Sequence, residues 1–556
     1  MKKNILWIAI LLLGIAAKSQ VTNDGVPESW KDSDKKSQKE LFTIEMPKFD
    51  LAKIRAEDAV NDLDRSKVYR FGYEFNVDLG FKNAGTWSEL ENGDFIWRIR
   101  IKSEGAKTLN FVFNEYKLPK GASLYLYSMD KKDLLGAYTH TFNREDGMLG
   151  TWMVESGDVI IEYYVPASLK GKGMLNLSKV IHGYRSVTDD DIIQKGLNDS
   201  GDCNQDVDCS VGSDFDTLKN DLKRSVALFI LGGSTCSGTL INNTGNDRKP
   251  YFLSANHCFK NANGTTLSNP STWAFRFNWV SPNPSCATTT PSTNGSFDQT
   301  TSGATLLANN NKSDMLLVNI DSALPDSWNL EWAGWDRTGN TPDFVVGIHH
   351  PSGDIMKVCR ENQSPTKTAI SFNGNSSTEM WRVANWDLGV TEEGSSGSAL
   401  FDQDGRIIGD LSGGAAACNG TNDNNQFDVY GRFEVSWDFG TTNATRLSNW
   451  LDPTNTGRTT LDTYSQEILL SVEDIELSKN IVVYPNPSQG IFTVSNKSGN
   501  RLSYDLFTIT GQQISSGQLS SESETLNISG NGNGIYFISI TNPDNDSITT
   551  RKIIVQ

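Results

Sequence analysis

With 556 residues, 37% of them hydrophobic and 48 of them glycine, the chain has room for about three domains and is too apolar and too varied for bulk disorder or a collagen-like repeat. Its 50 lysines and arginines face 67 aspartates and glutamates, a formal net charge of -17. That balance sets aside a nucleic-acid partner, because binding a polyanion requires cations to displace its condensed counterions.

Residues 1–20 carry Lys2 and Lys3, an apolar run from Ile5 to Ala17 and small residues at Ala17 and Ser19, the pattern of a secretory signal peptide. The run is shorter than the ~20 apolar residues that span a bilayer. Export permits disulfides, and the seven cysteines (203, 209, 236, 258, 286, 359 and 418) all fall in one central region. Residues 21–66 are charged and weakly periodic, a partly helical leader. From Val68 onward, short aromatic or β-branched runs at 95–101, 109–113, 123–127 and 159–164 alternate with Gly, Pro, Asn and Asp turns. They predict an antiparallel β-sandwich that ends near residue 185, its aromatics filling its own core.

The cysteine-bearing region, 196–463, repeats the short-strand pattern and is large enough for two packed β-barrels. Residues 464–480 read as a linker, and 481–556 as a small β-sandwich without cysteine, so the fold class is all-β throughout. No GK[ST] phosphate loop, HExxH, CxxC or EF-hand loop occurs, which leaves no motif for a metal or a cofactor.

Five histidines (140, 182, 257, 349 and 350) limit imidazole chemistry to few candidates. His257 follows an apolar run, Tyr251-Phe252-Leu253-Ser254-Ala255, and precedes Cys258, so a staple at that cysteine would hold the ring still. Ser396 lies in Gly394-Ser395-Ser396-Gly397-Ser398, where glycines let the backbone turn sharply and aim N–H groups at a forming oxyanion. Asp314 opens the apolar run Met315-Leu316-Leu317-Val318, placing a carboxylate at the mouth of a core element. A serine hydroxyl needs an adjacent base, and the imidazolium formed during attack needs an anion behind it. These three residues supply those roles. His349 and His350 are neighbours on one strand and point to opposite faces, so they read as structural rather than as a metal pair.

The order His, Asp, Ser resembles that of the chymotrypsin-like serine peptidases. The segments CNQDVDC (203–209), CSGTLINN (236–243), YFLSANHC (251–258), SDMLLV (313–318), WAGWDR (332–337), IHHP (348–351), VTEEGSSGSALF (390–401) and DVYGRF (428–433) are similar to secreted bacterial lysyl endopeptidases among them. The resemblance implies a double β-barrel with His257 as general base, Asp314 as its orienting acid, Ser396 as nucleophile, and the backbone N–H groups of Gly394 and Ser396 as the oxyanion hole. It implies hydrolysis after lysine of protein and peptide substrates, without cofactor, by an enzyme that is monomeric when mature. The trypsin-type specificity position, six residues before the serine, is Val390, which cannot pair with a cation. The resemblance instead assigns the acid of the specificity pocket to Asp428, on a strand after the serine. Ser412 and Gly413 belong to the strand expected to pair with substrate backbone. Phe372 and Ser412 stand where the family type has a tryptophan and a histidine. The pairs implied are Cys203–Cys418, Cys209–Cys286 and Cys236–Cys258, leaving Cys359 as a buried inert thiol.

Ser395 occupies the place where pancreatic-type zymogens carry an aspartate that pairs with a new N-terminus, so that switch is absent. Control is expected from 21–195 acting as a propeptide, with cleavage between Lys195 and Gly196, a bond that a lysine-specific enzyme can cut itself. In 481–556, Tyr484-Pro485-Asn486-Pro487, Gly490-Ile491-Phe492, Gly534-Ile535-Tyr536 and the closing Lys552-Ile553-Ile554-Val555 resemble the C-terminal sorting domain of the type IX secretion system. That resemblance implies the secretion machinery as a partner and an extracellular or cell-surface destination reached through the periplasm. Two alternatives remain: a protease of broader Lys/Arg specificity, and a surface binding protein that keeps the barrel without catalysis.

Overall fold

The computed structural model describes residues 25–31, 41–64, 66–185, 200–295, 299–465, 477–508, 513–519, 522–543 and 548–556. The expected signal peptide and the Lys195–Gly196 bond lie outside the described residues. Among those described, no helix is long and apolar enough to cross a membrane. The chain divides into two compact units, 1–465 and 466–556.

In the first unit the leader opens with two helices, Glu28–Lys31 and Leu51–Asn61. The second is capped by Asp50, whose side chain accepts from Lys53 N and so satisfies one of the orphan amides of the first turn. A six-stranded and a four-stranded sheet follow and face each other. In the first, Phe95–Lys102 pairs antiparallel with Asp158–Val165, and in the second Met174–Gly183 lies between Gly72–Gly80 and Thr108–Lys117. Strand alternation sends Trp97, Ile99 and Ile101 of one sheet and Phe111, Phe113 and Ile181 of the other into one core. This core does not end at the sandwich. Leu228, Ile230, Ala274, Trp279 and Ile355, all from the cysteine-bearing region, belong to it as well.

The cysteine-bearing region forms the two barrels. The first is a sheet ordered Thr300–Ser302, Ala274–Phe277, Val226–Leu231, Ser234–Leu240, Tyr251–Ala255, Met315–Ile320 and Ala304–Asn310, joined by the leader strand Tyr69–Arg70. The second runs Gln205–Asp206, Lys357–Glu361, Val345–His349, Ala399–Phe401, Ile407–Gly414, Asp428–Arg432, Asn375–Val383 and Thr366–Phe372. Disulfides join Cys203 to Cys418, Cys209 to Cys286 and Cys236 to Cys258. Cys359 is unpaired and buried, and burial pushes its thiol well above the ordinary range, which makes it inert.

The second unit is a small sandwich of a three-stranded sheet (Ile481–Tyr484, Ile491–Asn496, Ser523–Asn527) and a four-stranded one (Gln513–Leu519, Leu502–Thr508, Gly534–Thr541, Ile548–Val555). Phe492, Val494, Leu506, Ile538 and Ile553 fill it.

Candidate active site

The strand Tyr251–Ala255 is buried along its whole length, and pairs antiparallel with Met315–Ile320 so that Ala255 faces Met315. One residue further, the two chains therefore bring Asn256-His257 beside Asp314, and Asn256 N donates to Asp314 O at 2.5 Å. Asp314 adopts a left-handed backbone (φ 54°), a conformation that costs most side chains of the L series about 1–2 kcal/mol. The turn aims its carboxylate at the histidine. Oδ1 accepts from His257 N at 2.9 Å, and Oδ2 is 2.7 Å from His257 Nδ1. With Nδ1 donating to the carboxylate, Nε2 is left as the acceptor. Nε2 is buried and has no hydrogen-bond partner. The Cys236–Cys258 bridge anchors the turn to the neighbouring strand, and Phe372 stands edge-on to the imidazole, ring centroids 5.5 Å apart.

Ser396 sits between Gly394 (φ 87°) and Gly397 (φ 82°). A Cβ on Gly397 would lie 2.0 Å from Ser254 Oγ and 2.7 Å from Ala255 N, so only glycine lets this loop pack against the strand that leads to His257. Ser237 clamps the loop from below: its N–H donates to Ser396 O and its hydroxyl to Gly394 O, both at 2.9 Å. Among the described residues no protein acceptor takes the N–H of Gly394 or of Ser396, which leaves two donors available to an anion. Among the described residues His257 Nε2 has no hydrogen bond to Ser396; the loop meets the histidine turn through its backbone, with Ser396 O 3.9 Å from Cys258 Sγ.

Asp428 is 1% exposed, and its Oδ2 accepts from Trp386 Nε1 and Thr391 Oγ1, both at 2.7 Å. A Cβ on Gly414 would fall 2.2 Å from Oδ1, so only glycine fits beside the carboxylate at that position. Val390 is fully buried in the core of the second barrel. Pairing of Ile407–Gly414 with Ala399–Phe401 stops at Asp410, whereas pairing with Asp428–Arg432 runs on to Gly414. Ser412, Gly413 and Gly414 therefore have one edge without a strand partner among the described residues. The Ser412 side chain turns away from that edge, is fully buried and donates to Met380 Sδ at 3.6 Å, so only its backbone is placed to meet a substrate.

Three further residues lie near the site: His349 and His350, which the sequence reading took as structural, and Asp410, which it did not single out. His349 Nδ1 lies 2.8 Å from Ser395 Oγ, holding the residue next to Ser396, and burial lowers this histidine to about 3. His350 bonds the carbonyl of Asp354 through Nδ1 at 2.8 Å, and burial lowers it to about 4. Asp410 is fully buried; burial first, then the neighbouring Asp314 carboxylate, raises its carboxyl well above the usual range. The one available signal for Asp410 was a charge inside the apolar run Ile407-Ile408-Gly409-Asp410-Leu411.

Residues 197–431 match the family described as lysyl endopeptidase, C-terminal domain, and residues 482–556 match the secretion system C-terminal sorting domain. Over 384 residues the chain is 29% identical to the lysyl endopeptidase of Pseudomonas aeruginosa, covering 62% of this chain and 76% of that protein. A solved inactive form of the Rv3671c protease aligns with a TM-score of 0.25 at 14% identity, over 39% of this chain and 86% of its own. An inactive mutant of Rv3671c from M. tuberculosis H37Rv gives the same score and identity over 84% of its own chain.

Proposed function

We propose that this secreted protease, similar over 197–431 to the lysyl endopeptidase C-terminal domain and over 482–556 to a secretion system sorting domain, is a serine endopeptidase that cuts on the C-terminal side of lysine. The observation that carries this reading is the clamp of Asp314 on both His257 N and Nδ1, which leaves Nε2 as an acceptor beside the glycine-flanked loop of Ser396. Ser396 Oγ attacks the scissile carbonyl while His257 Nε2 takes its proton, and Asp314 stabilises the imidazolium. The N–H groups of Gly394 and Ser396 receive the oxyanion. His257 then protonates the departing amine, leaving an acyl-enzyme on Ser396 that water hydrolyses by the same route in reverse.

Lysine selection is assigned to Asp428. A buried ammonium is tolerated only beside a paired anion, and Gly414, where a Cβ would fall 2.2 Å from Asp428 Oδ1, keeps a side chain from crowding that carboxylate. Substrate backbone pairs along the Ser412–Gly414 edge. In this organisation 1–20 is the signal peptide, 21–195 the propeptide, 196–463 the protease, 464–480 a linker and 481–556 the sorting domain, with self-cleavage after Lys195.

The test maps every cut in a peptide library by mass spectrometry for the wild-type chain and for its Ser396→Ala and Asp428→Asn variants. The expected result is cleavage after lysine only, none by Ser396→Ala, and a loss of lysyl kcat/KM of ~100-fold or more in Asp428→Asn, from about 3 kcal/mol of broken buried pairing. Cuts that follow no single residue, or that Asp428→Asn leaves unchanged, contradict the pocket assignment.

A further inference from the structure

The leader reaches the protease from one side of its cleft. Strand Tyr69–Arg70 extends the first barrel by pairing antiparallel with Ser234–Leu240, Tyr69 opposite Thr235 and Arg70 opposite Ser234. Phe71 N and Gly72 N both donate to Gly233 O, at 2.8 and 3.0 Å. Thr235 adjoins Cys236, whose bridge to Cys258 runs beside His257. A cavity of about 450 Å³ is lined by His257, Asn261 and Asn373 from the protease and by Asp58, Asp62 and Lys67 from the leader. Most other contacts of residues 66–185 fall on the same barrel: Asn110 Nδ2 donates to Gly232 O at 3.2 Å, Arg144 is ion-paired with Asp321, and the Arg276 guanidinium lies 4.3 Å from the Trp152 ring centroid, while the second barrel meets them at the Ser352–Ile355 turn.

The acyl half of the cleft lies in the other barrel, where Ser412–Gly414 and Asp428 belong to adjacent strands. His257 must reach the departing amine, so the chain beyond the scissile bond leaves past the imidazole and the Cys236–Cys258 bridge. That path crosses the edge which the leader strand already holds.

The catalytic loop, meanwhile, is held by bonds that involve no new N-terminus. Ser395 Oγ is bonded to His349 Nδ1 and accepts from Glu392 N at 3.2 Å, and Ser237 fixes Gly394 and Ser396 by their carbonyls, all in the chain with its leader attached.

We propose that the leader is a one-sided plug. It occupies the leaving-group half of the cleft and leaves the acyl half and the oxyanion donors formed and accessible, so that the uncleaved chain hydrolyses small lysyl anilides but not polypeptides. The proposal rests on the serine-protease reading above and deepens it.

The test uses the full-length chain carrying Lys195→Ala, its intactness checked by mass, beside the wild-type chain after it has processed itself. Each is assayed with an N-acetyl-lysine p-nitroanilide and with a peptide that extends several residues beyond its lysine, and each is labelled with a fluorophosphonate. The expected result is anilide kcat/KM within about 3-fold of the processed enzyme and peptide kcat/KM lower by ~100-fold, since a tethered competitor acts at roughly millimolar effective concentration. Phe71→Pro, which removes the N–H that donates to Gly233 O, is expected to restore peptide cleavage; Asp58→Ala, which removes the carboxylate that holds Arg70 Nε at 2.7 Å, is a second variant should the first not fold. Equal suppression of both substrates in the uncut chain, with both cleaved after processing, overturns the one-sided plug, and so does equal cleavage of both before processing. Absence of anilide hydrolysis and of labelling in every sample is a different result: it overturns the serine-protease reading beneath the proposal.

Discussion

Two buried aspartates near His257 illustrate how one residue type takes opposite roles from its surroundings. Asp314 accepts two hydrogen bonds from His257, from the backbone N–H and from the ring, and so holds an anion where an imidazolium would form. Asp410 lies deep in the second barrel, its Oδ2 without a hydrogen-bond partner among the described residues, and burial, then the charge of Asp314, raises its carboxyl well above the usual carboxylate range. Replacement by the isosteric amide separates the two. Asp314→Asn is expected to lower kcat by ~10⁴-fold, because an amide beside Nδ1 favours the wrong tautomer. Asp410→Asn, which keeps the shape of a side chain whose Oδ2 makes no hydrogen bond among the described residues, is expected to keep kcat within about 2-fold. Steady-state kinetics on a lysyl substrate, with circular dichroism to verify folding, reads both. His257, Asp314 and Ser396 could be put forward from sequence because each stands in a local pattern: a strand end before cysteine, a strand start, a glycine-flanked serine. Asp410 was not, since its effect depends on which strand lies opposite, and that is set by register rather than by neighbours in sequence.

At the level of elements, the strand Val345–His349 and the turn after it carry two imidazoles into the region beneath the catalytic loop. The sequence reading that His349 and His350 are structural was made from alternation alone, which could say that they face opposite ways but not what they face. His349 meets Ser395, and His350 stacks at 6.3 Å on Trp279 and bonds the turn at Asp354. Both are lowered in the folded chain, to about 3 and about 4, against 6.5 when unfolded. The unfolded state therefore binds protons below about pH 6.5 that the native state refuses, so their stabilising effect is complete above that pH and is lost as pH falls toward 4 and then 3. Two such protons give a slope of at most about 2.7 kcal/mol per pH unit. Urea midpoints measured from pH 7.5 down to pH 4.5 are expected to fall, and, because burial lowers His182 to about 4 as well, His349→Gln to reduce the slope by about a third. A midpoint that stays level across this range would contradict the neutral, buried state of both rings.

For the whole molecule, the order of a sandwich, a cysteine-bearing strand-rich region and a small terminal sandwich followed from shifts in strand pattern and from the confinement of cysteine to 203–418, while the reading of the last as a sorting domain came from its resemblance. The union of the first two into one compact unit did not. Leu228, Ile230 and Trp279 look in sequence like residues of their own barrel, yet they complete the core that begins with Trp97 and Phe111 of the leader. An interface built this way is apolar and continuous, which is why the leader's hold on the protease is a property of the folded chain and not of the segment that connects them. Secretion and catalysis are thus divided between separate units, and the central claim concerns the first. Labelling the processed enzyme with a fluorophosphonate and locating the adduct by peptide mass spectrometry tests it most directly. The account predicts one adduct, on Ser396, that disappears in His257→Ala; no adduct, or one on another residue, would contradict it.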